Sequence, residues 1–268
     1  MNSLFLITFV LALAIVRPAS AADAATFIEL PYRYVIGGHA DGKWLTSEQA
    51  GKALKPGTAL RLFDLKGEIG KLKAGKAAPD EDVCPDVWLV KTDRELETHA
   101  IAIAASWNPM PRPVKSADTK QEVYLKAVSD ILVAKGIKKP IVKITQHIRA
   151  DLDGDGEEEV IIAATRYSRN DEGMGAPMSA SSGNYSFVVL RRVINGKVVT
   201  QILDGEFYSK STESNAPNIH DIGGILDLDG DGKMEIILHS QNYEGGGSTV
   251  WQLGTKKAVK VLEIGCGA

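Results

Sequence analysis

The six residues Asp-Leu-Asp-Gly-Asp-Gly occur twice in this chain, at 151–156 and 227–232, and each copy is followed by a glutamate and an apolar run. Carboxylates at positions 1, 3 and 5 of so tight a turn converge, and a cation must offset their repulsion. An all-oxygen donor set selects a hard ion, and the spacing predicts two calcium ions per chain. The first loop offers the side chains of Asp151, Asp153 and Asp155, the backbone carbonyl of Glu157, and Glu159 from position 9. The second offers Asp227, Asp229, Asp231, the Lys233 carbonyl and Glu235. A lysine that contributes only its carbonyl is no obstacle, and Gly156 and Gly232 supply the positive-φ freedom needed to wrap an ion.

An EF-hand needs a bidentate glutamate at loop position 12, where this chain has Ile162 or Leu238. The segments 159–167 and 235–243 that follow the loops are rich in β-branched residues and lack helical spacing. The loops are therefore expected between strands. Tyr167 and Tyr243 keep the two copies in register beyond the loop, and a Gly/Ser-rich break and two further strand-like stretches follow in each. Asn195-Gly196, between two such stretches, is a strong hairpin signal.

This unit resembles the FG-GAP/VCBS type of repeat of integrin-α-like propellers and many secreted bacterial proteins, whose loops read Asp-x-Asp/Asn-x-Asp-Gly-x-x-Asp/Glu. The resemblance runs from roughly Val142 to the C-terminus. It implies a mainly β fold with two four-stranded, blade-like units, each carrying a calcium loop at an outer turn. Only two loops are present, against the typically 4–8 blades of a closed propeller.

Residues 4–16 form an apolar run shorter than the roughly 20 residues of a membrane span, and Ala19-Ser20-Ala21 follows as a small-residue cleavage site. Residues 1–21 read as a secretory signal peptide, which sends the chain to the periplasm or the extracellular space. No later run is long enough to span a membrane, and a formal charge of −3 without a basic patch gives no reason to expect nucleic acid or an anionic membrane as partner. In an exported chain the two cysteines, Cys84 and Cys266, are expected to form a disulfide.

The expected organisation continues with a small β-rich module over 22–106, with strands at 32–38, 59–65, 87–92 and 100–106. Thr46 and Gln49 form a capping box that opens a short helix. A connector and helix occupy 107–140. Three prolines within 107–113 predict an extended passage that is either a stiff connector or an exposed Trp107/Arg112 recognition patch. Thr119 is expected to cap an amphipathic helix, with Glu122 as its N3 partner and Tyr124, Val128, Ile131 and Leu132 as a stripe packed on the β-rich body. The two repeats then fill 141–268, at about 142–205 and 218–264.

No Gly-x-Ser-x-Gly elbow, His-Glu-x-x-His helix or phosphate-cradling glycine loop occurs. His39, His99, His147, His220 and His239 are scattered without ligand spacing. These features favour a calcium-stabilised binding or structural module whose variable loops, above all 170–185, meet an extracellular protein or glycan. The rival expectation is a calcium-dependent extracellular hydrolase with its site between the N-terminal module and the repeats. A cleft gathering Trp107, Arg112 and the acids at 80–82 would mark that enzyme.

Overall fold

The strand after the first aspartate loop is apolar at almost every position, and the one after the second is so at Ile236, Ile237 and Leu238, which suits strands covered on both faces rather than one. The computed structural model of the chain describes residues 24–81, 83–167 and 177–267, and in it both strands lie between packed layers. The candidate signal peptide, Asp82 and residues 168–176 of the long variable loop lie outside the described residues.

The N-terminal part is built from β1 (Ala25–Leu30), β2 (Tyr34–Ala40), β3 (Lys43–Leu45), α1 (Ser47–Ala53), β4 (Ala59–Asp64), β5 (Gly67–Pro79), β6 (Trp88–Thr92) and β7 (Ala100–Ala104). Its strands form one sheet in the order β1-β7-β4-β5-β6-β2-β3, and a further pairing of β1 with β2 closes six of them into a ring. Ile28, Leu60, Leu62, Leu72, Val90 and Ala102 pack together with Ala50 and Leu54 at the end of α1. The Thr46/Gln49 capping box is present in both directions.

The next elements are β8 (Lys115–Ser116), α2 (Glu122–Ala134), β9 (Ile144–Ala150), β10 (Glu159–Thr165), β11 (Tyr185–Ile194) and β12 (Lys197–Phe207). The four strands from β9 to β12 pair in chain order, antiparallel throughout, with β8 added beside β9. Asn195 and Gly196 turn β11 into β12 with φ of 53° and 71°, the double positive φ of a type I′ hairpin. The last sheet repeats the scheme with β13 (Ile219–Leu226), β14 (Glu235–Gln241), β15 (Gly246–Leu253) and β16 (Ala258–Cys266).

The two later sheets pack face to face: Ile161 and Ala163 of β10 meet Ile236 and Leu238 of β14 in one buried cluster. The other face of β10, Val160, Ile162 and Ala164, packs against Val128 and Leu132 of α2. The other face of β14, through Ile237, joins Phe27, Phe63, Ile101 and Ile103 of the N-terminal ring. The layers therefore run from α2 through the β8–β12 sheet and the β13–β16 sheet to the ring.

Two expectations need correction. Thr119 does not cap α2: Gln121 is the N-cap residue, with no side-chain hydrogen bond, and Glu122 is the first helical residue. The chain on the N-terminal side is held otherwise, the Asp118 side chain accepting from the Lys120 amide and its carbonyl lying 2.8 Å from His147 Nδ1. The body on which α2 packs is the β8–β12 sheet, not the N-terminal module, because its stripe fills the outer face of β9 to β11.

Cys84 and Cys266 form a disulfide across 182 residues, tying the approach to β6 to the last strand. A loop of that length gives the cross-link a large effect on the unfolded chain. The double variant Cys84→Ser/Cys266→Ser is expected to lose roughly 2–5 kcal/mol of stability, read from denaturant unfolding with midpoint and slope both fitted, since the released chain unfolds to a more expanded state.

Candidate metal centres

Each aspartate loop closes in the same way. The position-9 glutamate turns back and accepts the amide of the position-2 leucine: Glu159 Oε2 from Leu152 at 2.9 Å, and Glu235 Oε2 from Leu228 at 2.8 Å. Both leucines are fully buried, so the loop is pinned to the core at its second residue. The position-1 aspartate accepts two more amides, Asp151 from Gly154 and Gly156, and Asp227 from Gly230 and Gly232. Those four glycines have φ between 77° and 90°, a region costly for a side-chain-bearing residue.

The loops bring together two sets of carboxylates, Asp151/Asp153/Glu159 and Asp227/Asp229/Glu235, with one oxygen from each residue within 4.8 Å of the others in its set. Asp155 and Asp231 instead receive the amides of Glu157 and Lys233. The repeats differ in surroundings. Asp229 Oδ2 accepts from Gln252 of β15 at 2.8 Å, and the same amide lies 3.4 Å from Glu235 Oε1. Since Val160 pairs with Arg191 and Ile236 with Trp251, Arg192 holds the place in the first sheet that Gln252 holds in the second. Arg192 donates to the Gly254 carbonyl and lines, with Asp153, Asp155, Glu159 and Lys233, a recess of about 320 Å³.

A cation fits this donor set on two observations beyond spacing. Asp153 Oδ1 is buried without a hydrogen-bond partner. The glutamates are placed where a lone carboxylate is costly: Glu159 is 4 % exposed and Glu235 1 %. Burial, with the neighbouring aspartates adding to it, pushes the Glu159 carboxyl up to about 7 and Glu235 up to about 9, against the lowering effect of the leucine amides. Burial likewise raises Asp227 to about 6.

The remaining candidates fall elsewhere. Trp107 and Arg112 are engaged within the chain rather than free for a recognition patch. Both are partly buried and spent on the loops: Trp107 Nε1 donates to the Asp227 carbonyl at 2.9 Å, and Arg112 Nε and Nη2 donate to the carbonyls of Asp151 and Leu152 at 2.5 and 2.8 Å. Tyr167 is buried and Tyr243 exposed, so their sequence register is not matched by a shared environment. Of the histidines, His39 is the one whose charge acts on Asp229. Asp80, Cys84 and Cys266 also lie close together, but the cysteines are bonded to each other and unable to ligate.

A second recess of about 510 Å³ opens where the ring meets the two later sheets, lined by Glu29, His99, Asp221, His239 and Gln241 among others. Beside it Ser248 donates to Glu29 Oε2 at 2.6 Å, while His239 Nδ1 lies 2.8 Å from Ser248 Oγ and 3.2 Å from Glu29 Oε1. A nucleophilic triad needs serine and carboxylate on opposite ring nitrogens. Here both meet Nδ1, Ser248 is 1 % exposed, and Nε2 is sealed against Gly223, where a Cβ would come within 2.3 Å. The sequence offered no signal for this group, whose members lie on β1, β14 and β15.

Comparison of the chain with protein-family models, curated proteins and solved structures finds no match.

The raised carboxyls predict how the metal-free protein responds to pH. Protons held by the folded chain favour folding below about pH 4, and that contribution is lost as pH rises through the folded values. With those values at about 6, 7 and 9 for Asp227, Glu159 and Glu235, the melting temperature of chelator-treated protein should fall from mildly acidic to alkaline pH. Glu235→Gln, a neutral isostere, should remove most of the alkaline part of that fall in a melting series across pH.

Proposed function

We propose that the chain is an exported calcium-binding protein whose two loops bind one calcium ion each and thereby brace a stack of β-sheets used for binding. The observation that carries this reading is the pair of converging carboxylate sets, each closed by a nearly inaccessible glutamate that forms no ion pair among the described residues. The donors are Asp151, Asp153, Asp155, the Glu157 carbonyl and Glu159 in the first loop, and Asp227, Asp229, Asp231, the Lys233 carbonyl and Glu235 in the second. Oxygen-only ligation by clustered carboxylates and a backbone carbonyl from one short loop suits calcium, whose coordination geometry is flexible, whereas magnesium demands a near-ideal octahedron and keeps several waters. The successive antiparallel pairing of β9–β12 and of β13–β16, each with its loop in the first turn, supports the FG-GAP/VCBS resemblance and its blade-like units.

Export is supported by the disulfide and by the N-terminal apolar run. No helix among the described residues is long and apolar enough to cross a membrane. The partner we propose is an extracellular protein or glycan met by the variable loops, not nucleic acid. The junction recess is the one feature that favours a hydrolase, but the shared Nδ1 and buried Ser248 give that reading no nucleophile. A glycan screen with and without calcium tests the partner class.

Calorimetric titration of chelator-treated protein with calcium chloride should show two ions per chain, at dissociation constants of order 10⁻⁴–10⁻³ M if the loops behave as extracellular modules do. Absence of heat, or preference for magnesium, ends the calcium reading. Near 100 times its dissociation constant, each ion should add about 2.7 kcal/mol to folding, seen as a raised melting temperature.

A further inference from the structure

The two loops are joined to each other by backbone and to one shared segment by side chains. Met234, between the proposed ligands Lys233 and Glu235, donates its amide to the carbonyl of Leu152, between Asp151 and Asp153, at 2.8 Å. The same carbonyl accepts from Arg112 Nη2 at 2.8 Å. Residues 107–113 run across both loops. Besides its bond to the Asp227 carbonyl, Trp107 lays its indole so close to Gly230 that a Cβ there would sit 3.2 Å from the ring. Pro109 accepts the Asp227 amide at 2.7 Å, and Arg61 of β4 donates to the Trp107 carbonyl at 3.1 Å, anchoring the segment to the ring. Leu152 and Met234 are fully buried in a single cluster. Prolines restrict the segment further, so a shift at one end is not absorbed by a slack chain.

We infer that the two calcium sites form a coupled pair, with filling of one loop ordering the ligand backbone of the other through the Leu152–Met234 bond and the 107–113 connector. The inference rests on the calcium reading above. An ion at the first site fixes Asp151 and Asp153, and with them the Leu152 carbonyl. That carbonyl fixes the Met234 amide, and so the orientation of the Lys233 carbonyl and of Glu235. Trp107 and Arg112 hold the position-1 carbonyls of both loops on one rigid element. They are positioning residues, touching backbone and not the ion. Coupling of this kind is reciprocal.

The test is calorimetric titration of the chelator-treated full chain with calcium chloride, in wild type and in single-site variants Asp153→Asn and Asp229→Asn, with near-ultraviolet circular dichroism as the check on folding. Removing either site should weaken binding at the other by about fivefold or more. Trp107→Phe/Arg112→Met should still bind two ions, and in that background Asp153→Asn should affect the second site less. Arg112→Lys keeps the charge without the two-carbonyl fork, and serves if the double variant fails to fold. Second-site affinity within about twofold of wild type after loss of the first overturns the coupling while leaving two calcium sites. An undiminished effect in the connector variants overturns the connector's part, and wild type that binds no calcium overturns both readings.

Discussion

In each repeat a buried glutamate carboxylate accepts the amide of a buried leucine seven residues earlier, and this contact joins the charged loop to the apolar stack. It sets two demands against each other. Leucine has to stay in the core, while the glutamate that holds it carries a charge that burial opposes. Protonation or a bound cation resolves the conflict: with its carboxyl pushed up to about 9, Glu235 keeps a proton at neutral pH in the metal-free protein, and a bound cation takes that proton's place. The arrangement thereby links the protonation and metal content of the loops to the packing of the strands that leave them.

Those strands matter because they lie at the centre of the layers. β10 separates α2 from the β13–β16 sheet, and β14 separates the β8–β12 sheet from the N-terminal ring. Loosening either loop would release the first residue of a strand that packs on both faces. The connector adds a second linkage, since Arg61 ties the Trp107 carbonyl to β4 while Trp107 and Arg112 hold the loops. The Cys84–Cys266 bond closes the same stack from the opposite end of the chain. For the proposed binding function, such linkages would supply the pre-organisation that lowers the cost of association.

The hydrolase reading illustrates how similar side chains can serve different ends. Glutamate, histidine and serine converge beside a recess of about 510 Å³. Their geometry satisfies a buried carboxylate by two neighbours instead of activating a hydroxyl, since nothing stands at Nε2 to take a proton from a nucleophile. Hydrogen-bond satisfaction of Glu29, which is 2 % exposed, accounts for the cluster.

The sequence by itself determined what is local. Alternating aspartates and glycines specify a tight acidic loop, Asn195-Gly196 specifies a type I′ turn, and Thr46 with Gln49 specifies a helix start, because each depends on groups within a few residues. The β-branched residues after the loops, without helical spacing, also signalled strands. Pairing of two cysteines was legible for a different reason, that no other cysteine competes. The start of α2 was misplaced because Thr119 matches a cap pattern while Asp118, linked to Lys120 and to His147 on β9, holds the chain out of the helix for two more residues. Tertiary structure alone decided that Gln252 reaches Asp229 and that Trp107 and Arg112 serve the loops instead of a partner. It also decided that Glu29, His239 and Ser248 meet. Apart from His239 with Ser248, nine positions apart on neighbouring strands, these contacts join residues 23 to 219 positions apart. At such separations spacing carries no signal, because the stacking of whole sheets, driven by apolar area and not by the contacting residues themselves, fixes which side chains meet.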